Sequence, residues 1–364
     1  MAWLSKLTLC LSAGLGHGRG IPSARRRGMV GAALALVAGL FTASWWLGLV
    51  GLLAVGLASQ PRTTTRSLVY TQLLLATGWL GAAGQPLAAG ALGWLLMYRF
   101  SPSRGLALAG LLSSLSVGAG LACEQPELVA VGLAVRLGLV PLHSWLLNSF
   151  ERGPTPVAVA FLGAGLVVVH DAVGWMGPLG ALTMLSGAVL ASAQSRLRRT
   201  VACLVLSQVG MLAMAVGWAP GAVGTLVVLL AVATVSWALC AELVEVRYGE
   251  DPRLDRFAAS FEAMPRLSTA FLFSGLVAVG LPGTLGYVAE DLLVQPLVHH
   301  QAGFALALLG ASALNAVTLA RAVFHLFSGP LPRGPGCDLL PREMVLLTLA
   351  FGVLAAVGFC PQNL

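Results

Sequence analysis

The sequence predicts an all-α membrane protein that crosses the bilayer many times. Of its 364 residues, 57% are hydrophobic and only 10% are charged, and the mean hydropathy is +0.87. Soluble domains carry roughly 25% charged residues. The 44 glycines suit membrane helices, which approach one another through small residues. The alternating strands of a membrane β-barrel are not found in the sequence, so helices are the expected spanning elements.

Apolar runs of about 20 residues can cross a bilayer, and the sequence contains about twelve or thirteen such segments, some short enough to be broken helices. The first is a continuous run at 29–59. Residues 1–28 precede it, and we expect them to form a basic arm held on the cytoplasmic side by its arginines. The rest, 29–364, is expected to form a single transmembrane domain. The later segments cover roughly 67–83, 86–98, 104–122, 127–148, 156–176, 178–194, 199–218, 220–247, 265–282, 286–298, 302–327 and 343–360.

The positive charge is distributed as in a multi-pass protein of a bacterial inner membrane. The formal net charge is +7, and Lys6 is the only lysine among 21 basic residues. The arginines lie between apolar runs and form no basic face, which argues against a nucleic-acid partner. The cluster Arg196, Arg198 and Arg199 is the strongest cytoplasmic marker and has no acid near it in the sequence. The polar connector 248–264 is expected to lie along the membrane surface.

The stretch 136–156 places ionisable residues and helix breakers inside a predicted span. Arg136 falls within 127–148, where an unpaired cation is unfavourable. Pro141 removes a backbone hydrogen bond and should kink the helix beside His143, and Trp145 suits a membrane interface. Two interpretations remain: a kinked helix presents Arg136 to a buried polar path, or Arg136 snorkels from a helix end.

Four stretches of the sequence form recognisable motifs. They read RLGLVPLHSWLLNSFERGPTPVAV (136–159), SRLRRTVACLVLSQVGMLAMAVG (195–217), VGLPGTLGYVAEDLLVQ (279–295), and RAVFHLFSGP with CDLLPREMVLLTLAFGVLAAVGFCPQ (321–330 and 337–362). These stretches resemble motifs of the antiporter-like subunits of respiratory complex I, of related multisubunit cation/proton antiporters and of membrane-bound hydrogenases, and the last is like the tail of the M-type subunit. They occur in the family's order and extend the resemblance over about residues 90–364.

The resemblance implies an antiporter-like fold and a proton path through buried ionisable residues, most of which are missing here. The family lysine before the PLHxW motif falls at Arg136, which stays protonated at physiological pH and cannot shuttle a proton. The family glutamate falls at Trp94-Leu95 and is absent. Of two central ionisable positions, the first falls near Leu162 or Val167 and the second near Val232; His170, about one turn from Val167, is a candidate substitute for the first.

The terminal glutamate of the family is retained as Glu290, with Asp291 beside it. We predict that Glu290 and His170 titrate and that Arg136 is a fixed electrostatic gate. The full predicted proton or ion path comprises Glu290, Arg136, His170, Asp171, His143, Arg321 and His325, with helix breaks at Pro141, Pro282 and Gly283.

Alternative interpretations stay open for most of these residues. Glu290 is either part of the path or an exposed acid at a helix end. His170 and Asp171 form either a coupled pair in the membrane or a pair at its surface. Arg321 and His325, four residues apart on one helix face, either line a channel or contact a partner. Glu242 and Glu245 are expected at a solvated helix end.

The leading function is a membrane subunit that moves protons, or a monovalent cation, within an assembly of membrane and soluble subunits. Any NADH-quinone oxidoreductase-like chemistry would belong to the partners, because the sequence has no nucleophile elbow, phosphate loop or dinucleotide fingerprint. Scattered cysteines without a CxxC pair predict no metal, and we expect no cofactor. The alternatives are the membrane partner of an inorganic-carbon accumulation complex and a non-conducting anchor with a degenerate relay.

Overall fold

The computed structural model describes residues 104–152, 173–248, 252–258 and 260–329, with short stretches at 338–339, 343–344, 347–348 and 351–352. Within these ranges the regular secondary structure is α-helical, with turns and connectors between the helices and one isolated β-bridge between Arg196 and Arg253. The all-α prediction is confirmed for this part of the chain. The predicted arm 1–28 and the predicted segments before residue 104 lie outside the described residues.

The described residues form nine named helices, most of them at the predicted apolar segments. Three of them, at 176–193, 197–218 and 302–327, are long and apolar enough to cross a membrane. The bounds are α1 Arg104–Ala122, α2 Pro126–Leu137, α3 Ser144–Arg152, α4 Met176–Ala193, α5 Leu197–Trp218, α6 Pro220–Tyr248, α7 Pro265–Ala278, α8 Leu285–His300 and α9 Ala302–Phe327.

The predicted span 127–148 is wrong as a single kinked helix, because α2 and α3 are separate. Gly138 ends α2 in a left-handed conformation (φ 70°), and its N–H bonds to carbonyls of the last turn. A glycine adopts this conformation without a steric penalty, so the helix stops before Pro141 is reached. A second interruption, at 279–284, separates α7 from α8 and contains Pro282 and Gly283.

Helix α5 lies at the centre of the bundle, buried from Thr200 to Val216 and in contact with α3, α4, α6, α8 and α9. Its closest neighbour is α4, which approaches through glycines. A Cβ at Gly187 would lie 2.6 Å from the backbone nitrogen of Ser207. Small residues thus let two membrane helices pack backbone against backbone, which fixes the position of the polar residues on α5.

Candidate functional site

Glu290 lies on α8, half-buried, between α9 and the break that follows α7. Its Oε1 accepts a 2.6 Å hydrogen bond from Ser312 Oγ on α9, and that hydroxyl oxygen lies 3.5 Å from the carbonyl oxygen of Val279. A Cβ on Gly280 (φ 88°) would lie 2.6 Å from Glu290 Oε2. The carboxylate therefore occupies a recess that exists because residue 280 has no side chain.

More buried polar side chains lie on the helices around this recess. Asn315, one turn after Ser312 on α9, donates a 2.8 Å hydrogen bond from Nδ2 to Ser207 Oγ on α5. Gln208 Nε2 donates a 2.7 Å bond to the carbonyl oxygen of Ala278, the last residue of α7. Asn315 Oδ1 is buried and has no hydrogen-bond partner in the described part of the chain. We call Glu290, Ser312, Asn315, Ser207 and Gln208 the polar cluster.

Sequence reasoning identified only Glu290 within the polar cluster. Ser207 and Gln208 form a polar pair in the apolar motif 195–217, and Asn315 is an amide in an apolar helix. Both features could have indicated buried polar sites. Nothing in the sequence distinguishes Ser312, because serine is tolerated throughout membrane helices and only the packing shows which serine contacts a carboxylate.

Arg136 lies in the last turn of α2 and is buried, with 6% of its surface exposed. Trp145 is also buried, and its Nε1 donates a 3.0 Å hydrogen bond to the carbonyl oxygen of Val135 at the end of α2, so the ring packs within the chain. Pro141 is exposed in the break. His143 is partly buried, and its carbonyl oxygen accepts hydrogen bonds from the first turn of α3.

Arg321 and His325 contact other parts of this chain. Arg321 donates from NH1 to the carbonyl oxygen of Ser192 at 2.6 Å and from NH2 to that of Gln194, at the end of α4. His325 Nδ1 lies 2.8 Å from the carbonyl oxygen of Arg321, and its ring stacks on Phe257 with centroids 4.7 Å apart. These contacts join α9, α4 and the connector. His170 and Asp171 lie outside the described residues.

The predicted solvated helix end at Glu242 and Glu245 is wrong, since both are buried, with 2% and 8% of their surface exposed. Arg198 Nε lies 2.7 Å from Glu245 Oε2, in a largely buried ion pair between α5 and α6. The expectation failed because the end of α6 is covered by the start of α5. Over the described residues, no group of three or more histidine, cysteine or acidic side chains is placed to hold a metal.

Residues 91–315 match the sequence profile of the family described as NADH:quinone oxidoreductase/Mrp antiporter, TM. Subunit N of the NADH-quinone oxidoreductase of Rhodococcus opacus is 29% identical over 299 residues, which are 74% of this chain and 55% of that protein. Subunit L from Mycobacterium tuberculosis is 27% identical over 283 residues, covering 68% of this chain and 43% of that protein. The chain thus spans about half the length of the curated relatives it matches.

Solved structures share the fold at low sequence identity. A chain of respiratory complex I from Thermus thermophilus with bound aureothin superposes with a TM-score of 0.76 and 21% identity, over 99% of this chain and 97% of that one. A chain of the Mrp complex from Dietzia superposes with a TM-score of 0.78 and 17% identity, over 100% and 96%. Both are chains of multisubunit membrane complexes, and the overlap shows an antiporter-like helical fold.

Proposed function

Because the chain belongs to the NADH:quinone oxidoreductase/Mrp antiporter transmembrane family, we propose that it is a membrane subunit that moves protons across the bilayer. Membership confirms the resemblance carried by the four sequence motifs. Relatives named as subunits of NADH-quinone oxidoreductases favour this function over a part in inorganic-carbon accumulation. They also favour an assembly with other membrane and soluble subunits, in a bacterial inner membrane.

The observation that carries the proposal is the placement of the Glu290 carboxylate against Ser312 and the broken backbone after α7. A carboxylate can bind and release a proton, whereas the nearby hydroxyl can donate to its ionised form and, after rotation, accept from its protonated form. Non-helical backbone at membrane depth is tolerated where it is buried in protein or lines a wet cavity. The break thus supports a polar route at Glu290.

Asn315 and Ser207 extend the polar surface from α9 to α5. A buried acceptor without a donor costs about 1–3 kcal/mol, so Asn315 Oδ1, to which no described residue donates, favours a water molecule close to it. In this proposal protons reach or leave Glu290 along the face of α9 that carries Ser312 and Asn315. Ser312 is hydrogen-bonded to Glu290, and Asn315 to Ser207. In this proposal these bonds hold the four side chains in place between proton transfers.

Arg136 supplies a fixed positive charge in this proposal and does not carry protons, because its guanidinium does not release one at physiological pH. Its burial near the end of α2 supports an electrostatic contribution to the path. His143, His170 and Asp171 remain proposed members of the path. The contacts of Arg321 and His325 with α4 and the connector favour a part in holding the helices together.

The test is proton flux in liposomes that contain the wild-type chain, Glu290→Gln or the control Asp291→Asn. Asp291 is an exposed acid next in sequence that accepts a hydrogen bond from Gln295. Proton transfer by a positioned side chain contributes roughly a hundredfold or more to rate, so we expect Glu290→Gln to reduce flux at least about tenfold and Asp291→Asn to leave it unchanged.

Two outcomes would reject proton transfer through Glu290. Equal flux in wild type and Glu290→Gln removes this residue from the path. Wild-type flux no greater than that of empty vesicles supports the alternative that the chain is a non-conducting anchor. Co-purification from native membranes tests the assembly, and the proposal requires membrane and soluble subunits of a respiratory or antiporter complex in the eluate.

A further inference from the structure

We propose that Arg196 and Arg253 form a binding site for the phosphate group of an anionic phospholipid, at the end of the bundle where α4 stops and α5 begins. This site is separate from the polar cluster and does not depend on proton transport. It is carried by the geometry of the β-bridge, by an excess of positive charge among the described side chains there, and by exposed aromatic rings on the connector that carries Arg253.

The isolated β-bridge brings the two arginines together. Leu197 N–H donates to the carbonyl oxygen of Pro252 at 3.1 Å, and Leu254 N–H donates to that of Ser195 at 2.7 Å, so Arg196 and Arg253 lie directly opposite each other in antiparallel orientation. Residues opposite one another on such a bridge project from the same face. Their side chains are 62% and 61% exposed, which leaves both guanidinium groups accessible.

Like charges placed opposite each other are destabilising unless something neutralises them. Arg253 is paired with Asp255 at 2.7 Å, and the Arg253 guanidinium keeps the pKa of that carboxyl below its usual range. Arg196 lies 3.7 Å from Glu151, but Glu151 is shared with Arg199 at 3.2 Å. Among the side chains that the structure describes at this point, three exposed guanidinium groups thus meet two carboxylates.

The first turn of α5 adds to the positive potential at this point. It contains no acidic residue, and it begins directly after Arg196. The N-terminal end of a helix carries a partial positive charge that favours an anion and disfavours arginine. Arg198, in the same turn, is neutralised by Glu245. An added anionic group between Arg196 and Arg253 would complete the neutralisation.

Exposed apolar rings on the connector that carries Arg253 favour a lipid as the source of that anion. Phe257 and Phe261 lie on the connector that carries Arg253 and are 57% and 55% exposed. Backbone hydrogen bonds hold this connector against the end of α9, including Ala258 N–H to the carbonyl oxygen of His325 at 2.8 Å and Phe261 N–H to that of Phe327 at 3.2 Å.

Each of the three candidate spans found among the described residues has one end at this place. Arg321 joins α9 to the end of α4, and the β-bridge joins the start of α5 to the connector. Ends of spans lie at the depth of the lipid headgroups, where aromatic rings and arginines are enriched and where anionic leaflets attract basic side chains. A free phosphate ion would gain nothing from the exposed rings, whereas a phospholipid would contact both.

The experiment uses the full chain in nanodiscs of phosphatidylcholine and phosphatidylglycerol, with native mass spectrometry of the lipids that remain bound. Wild type, the double variant Arg196→Gln/Arg253→Gln and the control Arg266→Gln are compared. Arg266 is similarly exposed but lies outside the bridge. Each arginine near an anionic surface contributes about a fivefold preference, so the double variant should lose at least about fivefold in retained phosphatidylglycerol, and the control should match wild type.

Equal retention of phosphatidylglycerol by wild type and the double variant overturns the proposal, as does equal retention of phosphatidylcholine and phosphatidylglycerol by wild type. Release of the bound lipid by inorganic phosphate in excess would show that the anion alone is recognised and would also overturn it. Thermal unfolding of both variants in detergent confirms that lipid loss is not caused by unfolding. If the double variant does not fold, the variant Arg196→Lys/Arg253→Lys provides the measurement. This variant keeps both positive charges and should retain phosphatidylglycerol. Loss of phosphatidylglycerol from it would reject the site.

Discussion

Ser312 donates a 2.6 Å hydrogen bond to Glu290 and so links α9 to α8 directly beside the break that follows α7. This contact joins the acidic residue retained from the family motif to a hydroxyl that no motif indicated. It also sets the orientation of the carboxylate, since the other oxygen, Oε2, lies against Gly280.

Removing the hydroxyl tests this contact. Hydrogen bonds to a charged group contribute about 1.5–3 kcal/mol, so Ser312→Ala should leave Glu290 less well oriented and reduce proton flux, by less than Glu290→Gln does. Ser312→Thr retains the hydroxyl and should restore most of the flux. The measurement is flux in liposomes at matched protein content. Flux in Ser312→Ala equal to that of wild type would show that the contact has no bearing on transport.

Gly280 provides a second test of the recess. The residue has φ 88°, and an added Cβ would come 2.6 Å from Glu290 Oε2. The left-handed backbone alone costs an L-residue roughly 1–2 kcal/mol. Gly280→Ala should therefore lower the thermal midpoint and displace the carboxylate, which reduces flux.

The control for that change is Gly310→Ala on α9, where a Cβ meets nothing within 4 Å. Alanine is about 1 kcal/mol better than glycine within a helix, so this control should be neutral or slightly stabilising. A Gly280→Ala variant with the flux and thermal midpoint of wild type would mean that the recess accommodates a side chain, and the orientation of Glu290 would need another explanation.

The sequence predicts the positions of most described helices along the chain, but it predicts only Glu290 among the five members of the polar cluster. Length and hydropathy located α5 and α9, because a membrane helix needs a continuous apolar run whatever it packs against. Ser312 and Asn315 became neighbours of Glu290 and Ser207 only through tertiary packing, which a single sequence does not display. Glu290 was identified because its position in a motif marked it.

Burial at helix ends was the least predictable feature. Glu245 reads as a solvated residue since it lies near the end of a span and precedes Arg247. Its burial depends on Arg198, which comes from a distant part of the chain and supplies the compensating charge. The Arg247 side chain is likewise largely covered, and it pairs with Glu343 at 2.8 Å. Such ion pairs depend on which distant segment packs over a helix end. Local sequence patterns do not show this packing.

Close packing of α4 on α5 gives a third prediction. A Cβ at Gly187 would lie 2.6 Å from the backbone nitrogen of Ser207, which cannot move away without shifting α5. Gly187→Val should separate the two helices, lower the thermal midpoint and disturb the hydrogen bond from Asn315 to Ser207. Gly224→Ala on α6 meets no atom within 4 Å and serves as the control. Equal midpoints for both variants would contradict the importance of this contact.

The ion pair between Arg198 and Glu245 gives the fourth prediction. Its Nε–Oε2 distance is 2.7 Å, and both side chains are nearly buried. Removing one partner of a buried pair costs about 3–5 kcal/mol, whereas replacing both with apolar residues of similar volume is often neutral. Glu245→Ala should therefore lower the thermal midpoint strongly, and Arg198→Met/Glu245→Leu should recover much of the loss.

A pair that is exposed on its arginine side supplies the comparison for that prediction. The Glu151 side chain is 12% exposed, but its partner Arg199 is 45% exposed and reaches solvent, and pairs screened by solvent contribute about 0–1 kcal/mol. Glu151→Gln should thus shift the midpoint far less than Glu245→Ala. The quantity to measure is the thermal midpoint in detergent for all four proteins at one salt concentration. A double variant as unstable as Glu245→Ala would contradict this prediction. It would show that the junction of α5 and α6 requires the two charges and their other contacts, and that apolar side chains of similar volume cannot replace them.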